Sequence, residues 1–188
     1  MAGPDIRLVN VVTGHSHVWR PGRGFTMVEL IVVMVLAGII GAVGIARFFD
    51  RAGFDADAFA DQTRSMLRYA QKLAIAGNRP VYVRLNANGI SLCYDPAKDC
   101  PPAKQVLAPS GTNSGVRATR DYCNSSAWYC EGRPSTVTLN VGGNGLLVFD
   151  ALGRPSDGSP QFSGIQLAIG GDGSTRTVSV APETGYVF

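Results

Sequence analysis

Histidine is almost missing from this chain of 188 residues. Its two histidines, His15 and His17, lie near the start, and none follows them. Because a Ser-His-Asp or Cys-His catalytic group uses histidine as its base, the sequence beyond residue 17 excludes both arrangements. The first 17 residues show no apolar or periodic pattern, so we interpret both histidines as bystanders and not as metal ligands. We expect no metal and no cofactor.

An excess of charge of either sign is also missing. The whole chain has 17 basic and 14 acidic residues. Without residues 1–24, which contain Asp5, Arg7, Arg20 and Arg23, the remaining chain has 14 basic and 13 acidic residues. A nucleic-acid-binding domain needs a clustered basic face, and this near-neutral balance gives no sign of one. We therefore expect no nucleic-acid partner.

The remaining candidates for chemistry are carboxylates and glycine-rich loops, and both occur in turn-like sequence. Asp150, Asp157 and Asp172 lie close to glycine or proline, where aspartate commonly makes local hydrogen bonds. The glycine-rich segments 142–145 and 170–173 predict hairpin turns, because no helix follows either of them to hold a phosphate. We predict that the protein is not an enzyme.

An apolar segment over residues 25–46 contains a single acid, Glu29. Its length corresponds to a helix of roughly 33 Å, enough to cross a hydrocarbon core of about 30 Å. Arg20 and Arg23 precede it without a nearby acid, and basic residues favour the cytoplasmic side of a membrane. We predict a membrane-spanning helix over 25–46, with residues 1–24 in the cytoplasm and the chain after Ala46 across the membrane.

Glu29 needs a physical reason. A carboxylate in a membrane-spanning helix costs about 2.5–3.5 kcal/mol even on a lenient scale, so it marks a function with a partner. An ordinary secretory signal cleaved after Ala46 is one alternative, and a simple single-pass anchor is another. Neither alternative explains an acid inside the apolar segment.

The N-terminal region resembles the class III signal of type IV pilins and type II secretion pseudopilins. The resemblance is carried by residues 24–29 (GFTMVE), by the apolar segment and by residues 47–50 (RFFD) after it. The resemblance implies that a prepilin peptidase cleaves between Gly24 and Phe25 and that Phe25 is then N-methylated. It implies that Glu29 pairs with the N-terminal ammonium of an adjacent subunit and sets the register of assembly. Residues 1–24 would be a leader peptide, and a start at Val18 would shorten it.

Helical periodicity continues after the apolar segment. The apolar positions that carry it are Phe54, Ala58, Phe59, Met66, Ala70, Leu73 and Ala74. We predict one helix over about 25–76, whose amphipathic second half at 47–77 packs on a domain and ends at Gly77 before Pro80. Gly41, Gly44 and Gly53 either permit bending or allow close helix packing.

Residues 78–188 are rich in turn residues and in short alternating apolar segments, which predicts a β-rich domain. Strands at 81–85 and 90–94 flank residues 86–89, which predicts a hairpin with a four-residue connection. Further predicted strands cover 136–141, 146–150, 165–169, 176–180 and 185–188. The stretch 95–135 is predicted as a surface loop. The fold class is therefore α+β, and the resemblance to pilins implies a long N-terminal helix packed on an antiparallel sheet.

All four cysteines lie in or beside the predicted loop. Six residues separate Cys93 from Cys100, and six separate Cys123 from Cys130. Local disulfides Cys93–Cys100 and Cys123–Cys130 would form readily in an oxidising periplasm, although the sequence leaves the other two pairings open. A zinc site is the competing interpretation, but neither spacing matches C-x2-C and no histidine is nearby.

The C-terminal part extends the resemblance to the GspH/FimT branch of the superfamily, which contains minor pseudopilins and minor pilins. Segments 148–155 and 178–187 resemble its turn and its terminal strand pair. The cysteine-containing insert and the ending at 183–187 resemble minor pilins of mannose-sensitive haemagglutinin type.

This resemblance implies a low-copy subunit that primes or caps filament assembly. Its partners would be the prepilin peptidase, the major pilin and other minor pilins. It would be a single-pass inner-membrane protein with a periplasmic domain, later incorporated into a periplasmic or extracellular filament. A DNA-binding minor pilin is the alternative, but residues 183–187 lack the arginines of DNA-uptake members.

Overall fold

A computed structural model describes residues 25–48, 51–97 and 99–188, without the side chains of residues 42–48. The chain divides into two units, residues 1–46 and residues 47–188. The predicted leader at 1–24, including Gly24, lies outside the described residues.

The first unit contains most of helix α1, Met27–Phe48. Large apolar side chains from Met27 to Ile40 are exposed along it. Within the part of the chain that the structure describes, no helix is both long enough and apolar enough to cross a membrane. The predicted span at 25–46 includes side chains at 42–46 that are outside the described ones, and it stays a prediction.

The second unit contains helix α2, Arg51–Gly77. Residues 49 and 50 lie outside the described part, so the prediction of one unbroken helix is not tested there. The buried positions of α2 recur every three or four residues and form one stripe: Gly53, Ala56, Phe59, Ala60, Thr63, Met66, Leu67, Ala70 and Ala74. This face packs against strands of the domain.

The prediction that Phe54 and Ala58 lie on the packed face of the helix is wrong. Phe54 is 75% exposed, and Ala58 is also exposed. At this end of the helix Gly171 packs against Ala52 and Ala56, and Asp172 packs against Gly53, so small residues and not Phe54 face the strands. The buried stripe therefore passes beside Phe54 and not through it.

Two antiparallel sheets complete the domain. The first has the strand order β3-β2-β1-β5-β6, and the second has the order β4-β7-β8. In chain order the strands are β1 Val81–Asn86, β2 Gly89–Cys93, β3 Cys130–Gly132, β4 Thr138–Val141, β5 Leu146–Phe149, β6 Pro155–Ser156, β7 Ile165–Gly171 and β8 Ser174–Val180. Alternate residues of β1, namely Val81, Val83 and Leu85, are buried in a core shared with α2.

The turns differ partly from the predictions. Asn86 pairs with Gly89, so the β1–β2 hairpin has a two-residue loop and not a four-residue one. Segment 170–173 forms the predicted hairpin turn, with Asp172 and Gly173 both at positive φ, as a type I′ turn requires. Segment 142–145 does not form a hairpin, because β4 and β5 lie in different sheets.

The C-terminal residues and the predicted loop also differ. Residues 185–188 form no named strand, and only a single bridge joins Val187 to Val180. The stretch 95–135 is more ordered than a loop, since it contains a short 3-10 helix at Pro102–Lys104, helix α3 at Arg117–Tyr122 and strand β3. It adds β3 to the edge of the first sheet.

The close approach at Gly171 predicts a large effect of a single methyl group. A Cβ at this position would lie 2.4 Å from the carbonyl oxygen of Ala52 and 2.8 Å from the Cβ of Ala56. We expect Gly171→Ala to lower the free energy of unfolding by about 1–3 kcal/mol through overpacking.

Thermal unfolding followed by circular dichroism measures this effect. Gly77→Ala is the matched control, because the nearest atoms to its Cβ belong to the Arg79 side chain at an ordinary 3.5 Å. Equal unfolding midpoints for the two variants would contradict the packing described for Gly171.

Candidate functional site

The predicted processing segment lies at the start of α1. Phe25 precedes the helix and is 77% exposed. The Thr26 hydroxyl accepts a hydrogen bond from the Glu29 backbone N–H at 3.2 Å, and the Thr26 carbonyl accepts one from the Leu30 N–H. Thr26 therefore caps the helix within two residues of the predicted cleavage junction.

This cap was missed in the sequence, although its signal is present. A threonine followed three residues later by glutamate, here Thr26 and Glu29, is the pattern of a capping box. Glu29 also lies in the first helical turn, where a negative charge interacts favourably with the helix dipole. The Thr26 hydroxyl supplies one half of this pattern through the Glu29 N–H, and the Glu29 carboxylate lies at the end of α1 where the dipole favours it.

The cysteines form disulfides Cys93–Cys100 and Cys123–Cys130, with Cα–Cα distances of 5.9 and 6.0 Å. These are the two local pairings that the spacing favoured. Both disulfides pack in one buried cluster with Trp128, whose Nε1–H donates to the carbonyl oxygen of Leu92 at 2.7 Å. The cluster fastens the insert at 95–135 to the first sheet.

A buried carboxylate provides a second attachment of the insert. Glu131 on β3 is only 3% exposed. It accepts hydrogen bonds from the Ser114 N–H at 2.8 Å, the Ser114 hydroxyl at 2.5 Å and the Thr119 hydroxyl at 2.7 Å. Sequence reasoning missed this group, because its three donors come from a segment for which no structure was predicted.

An ion-pair cluster lies where α2 enters the domain. The Arg176 guanidinium on β8 binds the Asp57 carboxylate at 2.7 and 3.2 Å. It also binds the Asp172 carboxylate at 2.7 and 3.3 Å. The Arg176 and Asp172 side chains are only 18% and 22% exposed. We call Asp57, Asp172 and Arg176 the Arg176 clamp.

The Arg176 clamp shifts the pKa of both acids. Hydrogen bonds from Arg176 hold the pKa of Asp172 and of Asp57 below the usual value of 3.8. For Asp172, hydrogen bonds from Ser174 lower the pKa further. Both carboxylates therefore ionise at a lower pH in the folded chain than in the unfolded chain. Their ion pairs with Arg176 are stabilising above the unfolded-state pKa of about 3.8.

The other two carboxylates singled out in the sequence lie in separate turns. Asp150 accepts hydrogen bonds from the N–H groups of Leu152 and Arg154. Asp157 accepts one from the Ser159 N–H at 2.9 Å. Each serves the local hydrogen bonding that was predicted for it.

Comparison with known proteins agrees with the prediction made from the N-terminal segment. Residues 19–45 match the family model described as the prokaryotic N-terminal methylation motif. Over 122 residues, the chain is 29% identical to the type IV narrow pilus major component PilA5 of Thermus thermophilus, covering 64% of this chain and 89% of that protein.

Two solved structures are also similar. The minor pilin FimU of Pseudomonas aeruginosa aligns with a TM-score of 0.46 and 17% identity, covering 70% of this chain and 85% of FimU. The minor pseudopilin EpsH of Vibrio cholerae aligns with a TM-score of 0.47 and 13% identity, covering 71% of this chain and 94% of EpsH.

The chain is an α+β protein in which a helix packs on antiparallel sheets and is preceded by a methylation motif. A component of a type IV pilus is among the proteins to which it is similar. The methylation motif and this relative agree with the family predicted from residues 24–50.

The lowered pKa of Asp172 predicts a defined response to acid. Its stabilising contribution is complete above the unfolded-state value of about 3.8 and is lost as the pH falls below it. We expect Asp172→Asn to lower the thermal midpoint near neutral pH and to reduce the loss of stability on acidification.

Thermal midpoints measured across the acidic range test this expectation. Asp121→Asn is the control, because the Asp121 side chain is 70% exposed and lies 3.7 Å from an exposed Arg117. An acid response of Asp172→Asn as steep as that of the unmodified chain would contradict a stabilising role of the Arg176 clamp.

Proposed function

We propose that this protein is a minor pilin or minor pseudopilin, a structural subunit that helps to prime or cap a type IV pilus or a type II secretion pseudopilus. The observation that carries the proposal is the methylation motif at residues 19–45, which contains Gly24, Phe25 and Glu29. We assign the protein a structural role and no enzymatic activity.

Processing is the first step of the proposed function. A prepilin peptidase cleaves between Gly24 and Phe25, and Phe25 is N-methylated. The exposed side chain of Phe25 and the helix start at Thr26 support this site, because they leave the aromatic residue just outside the first helical turn. We propose that residues 25–46 then hold the chain in the inner membrane with its domain in the periplasm.

The compartment is supported by the second unit. Two disulfides lie in one buried cluster, and disulfides persist in oxidising compartments such as the bacterial periplasm. A periplasmic domain joined to an apolar N-terminal helix is suited to a subunit that leaves the membrane to enter a filament.

Glu29 provides the register of assembly in this proposal. Apolar burial is non-directional, so packing between apolar helices alone leaves their axial positions loose. A carboxylate paired with the N-terminal ammonium of an adjacent subunit would hold one position, because an unpaired charge in an apolar environment is strongly penalised. The partners are therefore other pilins, major and minor.

The assignment as a minor subunit is supported by the C-terminal segments that resemble the GspH/FimT branch. Both segments contact α2 through one side chain. The Gln71 amide donates to the carbonyl oxygen of Gly153 at 2.9 Å and to that of Thr184 at 2.8 Å. The two resembling segments thus meet at one place on the helix, which is consistent with a shared structural role.

Replacing Glu29 tests the proposal. We expect Glu29→Val to be cleaved and inserted normally but to be absent from sheared filaments, because the apolar side chain cannot pair with the ammonium group. Immunoblots of membrane and filament fractions measure this distribution. Glu183→Gln, which removes an exposed acid from the C-terminal turn, is the control and should enter filaments. Normal incorporation of Glu29→Val would refute the role of Glu29.

A further inference from the structure

The face of the first sheet that points away from α2 contains an arginine in a row of neighbouring side chains. Arg84 on β1 lies directly opposite Ser91 on β2 and opposite Leu146 on β5. Its chain neighbours Val83 and Leu85 belong to the core shared with α2, so Arg84 faces the other side of the sheet. Directly opposite residues of an antiparallel pair have adjacent side chains. Arg84, Ser91 and Leu146 therefore form one continuous surface.

This surface is the floor of a cavity of about 610 Å³. The insert at 95–135 contributes Tyr122 and Trp128 to its wall, and the segment before β5 contributes Asn144. The volume lies in the range of about 300–1,000 Å³ that is typical of small-molecule sites. We call this space the Arg84 cavity.

The walls of the Arg84 cavity are held in place by hydrogen bonds and disulfides. The Asn86 amide donates to the Tyr122 hydroxyl at 2.8 Å, and the Asn144 amide donates to the carbonyl oxygen of Asp157 at 2.9 Å. Trp128 packs with both disulfides in the buried cluster. Walls that are already ordered lose little freedom when a ligand enters, which favours binding.

Two polar groups on the floor have no partner among the described residues. The Nη1 group of Arg84 is buried and forms no hydrogen bond, whereas its Nη2 group donates to the carbonyl oxygens of Asp95 and Ala97. Ser91 is only 2% exposed, and its hydroxyl forms no hydrogen bond either. Buried donors without an acceptor are destabilising, and native structures nearly always pair them. A ligand that brings acceptors into the cavity would satisfy both groups.

The charges that line the cavity indicate which acceptor fits. Arg84 forms no ion pair within the part of the chain that the structure describes, so an anionic ligand would supply its direct counter-charge. A carboxylate has two acceptor oxygens, one for the guanidinium and one for the Ser91 hydroxyl. Asp99 also lines the cavity, and its negative charge disfavours a doubly charged group such as phosphate.

We propose that the Arg84 cavity binds a small ligand through one carboxylate group, which accepts hydrogen bonds from Arg84 and from Ser91. Two sources supply this chemistry. One is a simple organic acid, and the other is an acidic sugar, whose ring hydroxyls would meet the amide and aromatic side chains of the walls. The site lies within the domain alone, so it can exist whether or not the chain enters a filament.

Tryptophan fluorescence of the full-length chain in detergent micelles tests this proposal. The sequence has two tryptophans, so Trp19→Phe leaves Trp128 in the cavity wall as the single reporter. At constant ionic strength, we expect a saturable change in its emission with sodium acetate or sodium glucuronate and none with glucose. Tighter binding of glucuronate than of acetate identifies an acidic sugar as the source. Equal or weaker binding of glucuronate identifies a simple organic acid.

Substitutions on the floor locate the site. Arg84→Gln should weaken carboxylate binding about tenfold, because the charged donor is lost, and Ser91→Ala should weaken it about fivefold. Arg79→Gln is the matched control, since it removes the same charge from a guanidinium that lies over the Tyr94 ring at 3.5 Å and is not part of the cavity lining. The comparison of carboxylates with glucose needs no substitution on the floor, so it is decisive even if a variant fails to fold.

Several results would overturn the proposal. A cavity that holds only water would show no saturable change with either carboxylate up to about 100 mM, where even millimolar affinity gives saturation. Glucose that binds as tightly as glucuronate, or inorganic phosphate that binds more tightly than both carboxylates, would exclude a carboxylate as the recognised group. Equal binding by Arg84→Gln and Arg79→Gln would place the ligand outside the Arg84 cavity.

Discussion

The packing of one face of α2 against both sheets is the contact on which the domain depends. Small residues make this packing possible, because Ala56 and its neighbours let the end of β7 come within contact distance at Gly171. Larger residues, Met66 and Leu67, fill the wider space further along the helix and are fully buried. The same approach brings Arg176 over Asp57, so the packing and the ion-pair cluster have one geometric cause.

The remaining parts of the domain are attached to this helix–sheet core by polar and covalent links. The insert at 95–135 is fastened by two disulfides and by the buried Glu131. The C-terminal residues are held on α2 by Gln71 and Arg68. Segments with little apolar surface cannot be ordered by burial alone, and in this protein directional bonds order them.

Local patterns were sufficient for most of the fold. Helical periodicity predicted α2, and the glycine-rich segment 170–173 predicted the β7–β8 hairpin turn, because both signals depend on neighbouring residues only. Strand β3 and the Glu131 network could not be predicted, since they form only when the insert folds back on the first sheet. Segment 142–145 shows the same limit: its glycines indicate a turn, but the choice between a hairpin and a change of sheet depends on distant strands.

We propose that the chain is a processed pilin-type subunit whose mature N-terminus is Phe25. Mass spectrometry of the N-terminal peptide from the mature protein, purified from its membrane, tests it most directly. The account predicts a peptide that begins at Phe25 and carries an N-methyl group. A mature chain that begins after Ala46, or one that keeps residues 1–24, would contradict it.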